Sequence, residues 1–168
     1  ANVMRREPIH GSSQAIFPHT GSPKALVILA EYQDKKFSIK NPKRSFNQYL
    51  NKEEGKQEEF GYRESKNYGS VRQYFSEMSN GQFTPQFDIV GPVTLPEDMT
   101  YYGGTSSTGN DERTAQMVVD ACELVKDSVD FSLYDSNNDG YVDLVYVIYA
   151  GYGQSMGAAN NTVWPKAT

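Results

Sequence analysis

The stretch KALVILAEY, Lys24–Tyr32, constrains the fold more than any other part of the chain. From Ala25 to Ala30 it contains no polar side chain. A half-exposed strand would alternate apolar and polar residues, and a run this short is too brief for a buried helix. It is predicted to be a strand buried on both faces. Such a strand needs a covering layer on each side, as in a layered α/β domain.

The remaining segments supply those layers. RSFNQYL (44–50) is predicted to be a short helix, and the charged, glycine-broken residues 51–69 an exposed loop. In SVRQYFSEMSNGQF, Ser70 and Gln73 have capping-box spacing. Val71, Tyr74, Phe75 and Met78 then fall on one apolar stripe, and Gly81 suits the left-handed residue that ends a helix. TPQFDIVGPVTL reads as a strand that either stops at Pro92 or lies at a sheet edge, because proline cannot donate to a ladder. YYGGTSSTGN is predicted to be a flexible loop. NDERTAQMVVDACELVKDS reads as a second helix, spanning 111–128, with Asn110 as its cap and Asp111 and Glu112 at its positive end. Its buried stripe is predicted to be Ala115, Val118, Cys122 and Val125. An acidic loop leads into the strand LVYVIYAGYG, and QSMGAANNTVWPKAT reads as a mobile polar tail as far as Trp164-Pro165. Strands and helices alternate, so the fold class is α/β.

Length and charge narrow the function. The 168 residues fit one domain, with residues 1–23 as an irregular lead-in. Sixteen basic against twenty-one acidic residues give a net charge of −5, which argues against a nucleic-acid partner. No apolar run approaches the ~18 residues needed to span a bilayer. No signal peptide begins at Ala1, so the chain is expected to be cytosolic or already processed. Cys122 is the one cysteine, so no internal disulfide forms.

The richest chemical pattern is DSNNDGYVD, residues 135–143. Asp135, Asn137 and Asp139 stand at alternate positions before Gly140. The carbonyl of Tyr141 and the carboxylate of Asp143 follow at the seventh and ninth places. This is the oxygen spacing of a calcium loop, with the glycine at the sharp turn. It departs from an EF-hand at the twelfth place, where Tyr146 replaces the bidentate Glu, and a strand follows instead of a helix. The plain alternative is a solvated Asx-rich turn. Three carboxylates in nine residues repel unless neutralised, which favours a structural calcium ion.

Other chemistry is sparse. His10 and His19 are too few and too far apart for zinc, and H-E-x-x-H occurs nowhere. Cys122 on an apolar helix face reads as a small buried hydrophobe. Residues alone give no complete catalytic constellation.

The segments GSPKALVILAEYQDKKF, GSVRQYFSEMSNGQFTPQFDIVGPVTL, YYGG, VDFSLYDSNNDGYVDLVYVIYAGYGQSMG and NNTVWP, in this order, resemble the secreted bacterial zinc metallopeptidases of the immune-inhibitor-A type, in the form common in Bacteroidetes. The resemblance covers roughly residues 20–165 and is most specific from Val129 to Pro165. It implies that residues 24–168 are the N-terminal subdomain of a zincin-like catalytic domain, a twisted mixed sheet with backing helices. It further implies a protein or peptide substrate and a secreted or cell-surface location. Zinc would be held by an H-E-x-x-H helix C-terminal to these segments, so the remainder of the catalytic domain is itself an expected partner. Two positions depart from the family: Gln154 where Glu is common, and Lys166 where His often follows Trp-Pro. A non-catalytic protein- or glycan-binding module on a degenerate protease scaffold is the alternative these departures suggest. A dockerin-type assembly domain would need a second calcium loop, which is lacking.

Overall fold

A computed structural model of the chain describes residues 17–52, 69–104 and 111–166. Strand β1 (Lys24–Glu31) lies at its centre. It is followed by helices α1 (Pro42–Asn51) and α2 (Val71–Met78) and strand β2 (Gln86–Thr94). Helices α3 (Met99–Tyr102) and α4 (Thr114–Val125) lead through a 3₁₀ turn at Phe131–Tyr134 to β3 (Val145–Tyr149). A last 3₁₀ turn covers Gln154–Met156.

The sheet order is β2-β1-β3, and both pairings are parallel. The expected mixed sheet is therefore parallel throughout the described residues. β1 is buried on both faces, as its unbroken apolar run requires. Leu26, Ile28 and Ala30 face one core with Met117, Ala121 and Val125 of α4. Ala25, Val27 and Leu29 face the other, with Leu50 of α1 and Phe87 and Ile89 of β2. Fully burying each larger aliphatic side chain stabilises the fold by about 1.5–3 kcal/mol, so this strand dominates the core.

β2 continues through Gly91-Pro92 to Thr94 and, among the described residues, lies at the sheet edge, the second of the two placements open to a strand with proline. The pairing register shifts between Ile28 and Ala30 opposite that point. Asn51 covers part of this edge. Its amide donates to the Phe87 carbonyl at 2.8 Å and its oxygen accepts the Phe87 N–H at 3.0 Å. A side-chain amide thus satisfies backbone groups that would otherwise template further strand pairing.

The helices match the expectations in part. α2 forms where its cap predicts, with the Ser70 hydroxyl accepting the Gln73 N–H at 3.1 Å and Gly81 at φ +76°. Its apolar stripe faces solvent at Tyr74, 58% exposed, and Met78, 70% exposed. In α4 the buried set is Met117, Ala121 and Val125; Ala115 is exposed and Cys122 only half-buried. The helix runs Thr114–Val125, shorter at both ends than the expected 111–128, and its expected cap Asn110 lies outside the described residues. YY of YYGG closes the short helix α3, with Tyr102 fully buried. The exposed loop predicted over 51–69 falls almost wholly outside the described residues.

Candidate cation-binding loop and a clasp of the tail

The acidic loop hangs between two fixed ends. At its start Asp130 caps the 3₁₀ turn, accepting from the Ser132 hydroxyl at 2.7 Å and the Ser132 N–H at 3.1 Å. These bonds, the hydroxyl's foremost, hold the Asp130 carboxyl below its usual range. Tyr134 closes the turn from inside the core and donates to Asp88 of β2 at 3.1 Å. Burial, with the Asp88 charge added, pushes its hydroxyl up to about 12. The Asp143 N–H then returns to the Tyr134 carbonyl at 2.8 Å, which pins both ends of the loop together.

Within the loop the five predicted ligand positions divide. The Asp135 carboxylate accepts from the Asp139 N–H at 3.1 Å and the Gly140 N–H at 2.8 Å. Asn137 accepts from the same Asp139 N–H and donates to the Asp139 carboxylate at 3.0 Å. Asp139 accepts the Tyr141 N–H at 2.9 Å. Asp143 Oδ2 accepts the Ser136 N–H at 3.0 Å. Gly140, at φ +87°, makes the sharp turn. The loop is a set of Asx turns in which carboxylates are partly neutralised by backbone N–H groups. Among the described residues no three acidic, His or Cys side chains come together as a metal cluster. One atom is left over: Asp143 Oδ1 is buried and has no hydrogen-bond partner. A buried carboxylate oxygen without a donor is costly, and a hard cation is the kind of group that would satisfy it.

Sequence reasoning missed a second arrangement, beyond the carboxyl end of β3. Asp111, expected merely to favour a helix start, has a side chain only 2% exposed. It accepts the Trp164 N–H at 2.8 Å and pairs with the Lys166 ammonium at 3.3 Å. The tail expected to be mobile is thereby clasped to the domain. Val163 and Thr162 are buried, and the Val163 carbonyl accepts from the Tyr149 hydroxyl at 3.1 Å and the Gln154 N–H at 3.2 Å. Burial, with the Asp111 charge second, raises the Tyr149 hydroxyl above its ordinary range. Gln154 donates to Asn160 at 3.3 Å, so Gln154 and Lys166 each have a partner. The signal that could have found the clasp is weak: one acid and one lysine more than fifty residues apart.

The remaining candidates stay outside any site. His19 is exposed, and His10 lies outside the described residues. Burial pushes the Cys122 thiol up, Glu123 adding to it, which suits the packing role rather than a nucleophile.

A family model described as immune inhibitor A peptidase M6, catalytic domain, matches residues 15–166. Immune inhibitor A from Bacillus thuringiensis subsp. alesti is 28% identical over 169 residues, covering 84% of this chain and 25% of the relative. The chain thus spans about a quarter of that relative's length.

Proposed function

The chain belongs to the immune inhibitor A peptidase M6 family, and from that premise we propose that it is the N-terminal scaffold of the catalytic domain of an exported bacterial zinc metalloendopeptidase. The family-model match over residues 15–166 carries this reading. A parallel sheet covered on both faces supports it as a rigid platform of the kind catalytic groups are mounted on. Proteins or peptides are the substrate class.

Zinc does not fit the residues described here. The sequence has no H-E-x-x-H, the one described histidine is exposed, and the described residues hold no metal cluster. No step of peptide hydrolysis is assigned to them. In this reading the zinc ligands and the general base come from another part of the protein, and residues 1–168 alone are inactive. Casein cleavage tests this in two arms. The 168-residue chain is expected to cleave nothing, and the longer protein to cleave in an EDTA-sensitive manner. Zinc-dependent cleavage by the short chain, or a longer protein without H-E-x-x-H, would overturn it.

The loop of Asp135, Asn137, Asp139, Tyr141 and Asp143 is read as a structural calcium site. The orphaned Asp143 Oδ1 and the oxygen spacing support this. An ion there would stiffen the turn that delivers α4 into β3.

A further inference from the structure

We propose that the cleft at the carboxyl ends of β1 and β3 binds a small carboxylate that carries an apolar body, with Lys35 as its counter-charge. The topology places the cleft. The connection from β1 to β2 contributes α1 to one face of the sheet, and the connection from β2 to β3 contributes α4 to the other. The two connections diverge on either side of β1, so the order β2-β1-β3 reverses direction between β1 and β3. In open parallel sheets the crevice at such a reversal, beyond the carboxyl ends of the strands, is where ligands bind.

A cleft of about 560 Å³ lies at that point, walled by the segment after β1 and the segment after β3. Its size and largely apolar lining suit a small molecule. Phe37 and Phe46 meet edge to face at 5.6 Å between centroids, and Tyr149 and Tyr152 complete the aromatic wall. Both walls are tied to the sheet. The Ala150 N–H reaches the Ala30 carbonyl at 2.9 Å, the Tyr32 N–H reaches the Lys35 carbonyl at 2.9 Å, and Glu31 accepts the Phe37 N–H at 3.0 Å.

The charge in the cleft is one-sided. Lys36 is compensated by Glu31 at 3.6 Å and donates to Thr94 at 2.8 Å. Lys35 forms no ion pair among the described residues, and its ammonium sits over the Tyr152 ring at 4.5 Å from the centroid. Its stem rests on Gly151, where an added Cβ would stand 3.2 Å from Lys35 Cγ and 2.9 Å from Met99 Sδ. The lysine is thus positioned in advance, which lowers the ordering cost of binding an anion. A cation beside a half-enclosed aromatic wall selects a carboxylate with an attached apolar group. A free N-acyl amino acid and the carboxy-terminal residue of a peptide both offer that chemistry.

The test is a calorimetric titration of the 168-residue chain, and it reads binding, not catalysis, so it stands whether or not the peptidase reading holds. N-acetyl-L-phenylalanine is expected to bind saturably with Kd around 1 mM, and N-acetyl-L-phenylalaninamide about tenfold more weakly. Lys35→Met keeps the stem and should lose the same factor, whereas Lys35→Arg keeps the charge and should bind. Lys43→Met, outside the cleft, should bind as the parent does. A pentapeptide ending in Phe, compared with its C-terminal amide, separates the two sources: binding shows a cleft that admits peptide ends, and failure beside binding of the N-acyl amino acid shows one for small acids. Equal binding of acid and amide, full binding by Lys35→Met, or no saturable binding of any probe would overturn the proposal.

Discussion

The backbone N–H of Trp164 donates to the buried carboxylate of Asp111 at 2.8 Å, across 53 residues of chain. The same carboxylate holds Lys166 at 3.3 Å. One acidic side chain in front of α4 therefore sets the path of residues 163–166 past the end of β3.

Replacing that carboxylate should loosen the tail. Asp111→Ala leaves the Trp164 N–H without its acceptor and Lys166 without its partner, and the expected loss is about 2 kcal/mol. Asp111→Asn retains an acceptor and should lose less. Urea denaturation measures both; an Asp111→Ala loss below about 0.5 kcal/mol would mean the clasp is an ordinary surface contact.

The tail's packing has a separate steric test. A Cβ on Gly103 would stand 2.5 Å from the Asn161 carbonyl oxygen and 2.6 Å from Thr162 Cα, all rigid backbone. Gly103→Ala should therefore cost about 1–3 kcal/mol and expose residues 157–166 to limited proteolysis. An alanine variant as stable and as protease-resistant as the parent would show that the tail does not lie against α3.

Alkaline pH should destabilise the fold through Tyr134. Its hydroxyl is pushed from its ordinary value of about 10 up to about 12 by burial and by Asp88. Below pH 10 both folded and unfolded chains hold this proton. Above it the unfolded chain releases the proton first, so stability falls as pH rises from about 10 to about 12. Tyr134→Phe removes the ionising group along with one hydrogen bond. It should start about 1 kcal/mol less stable at neutral pH and show a shallower alkaline decline. Urea midpoints across that pH range measure the slope, and parallel curves for parent and variant would rule Tyr134 out as a contributor.

Calcium should raise the melting temperature if the acidic loop holds an ion. Ligand at one hundred times Kd stabilises by about 2.7 kcal/mol. Asp139→Ala and Asp143→Ala should each abolish the shift, the second by removing the buried oxygen that has no other partner. A melting temperature unmoved by millimolar calcium would leave the loop as an Asx-rich turn that holds no ion.

How far the fold was legible depended on the range of the contacts involved. Ser70 and Gln73 sit three residues apart, and the cap forms as their spacing implies. Phe87 and Ile89 alternate, and both face the core. Tyr74 and Met78 have helical spacing too, yet remain in solvent. Periodicity shows that a helix has an apolar side but not whether anything in the described residues covers it. The acidic loop was legible as a turn, with Gly140 at its corner, because Asx bonds join residues two to five apart.

The apolar run from Ala25 to Ala30 was enough to make β1 a doubly buried strand and to call for an α/β fold. An unbroken apolar run can satisfy its side chains only between two covering layers, and that requirement is local. The sequence also carried the family, through the ordered segments from Gly21 to Pro165. Only the tertiary structure decided that the sheet is parallel in the described residues, that Asp111 clasps Trp164 and Lys166, and that Lys35 faces a cleft between β1 and β3. Each of these depends on which distant segments meet, and composition, period and spacing say nothing about that meeting until the chain has folded.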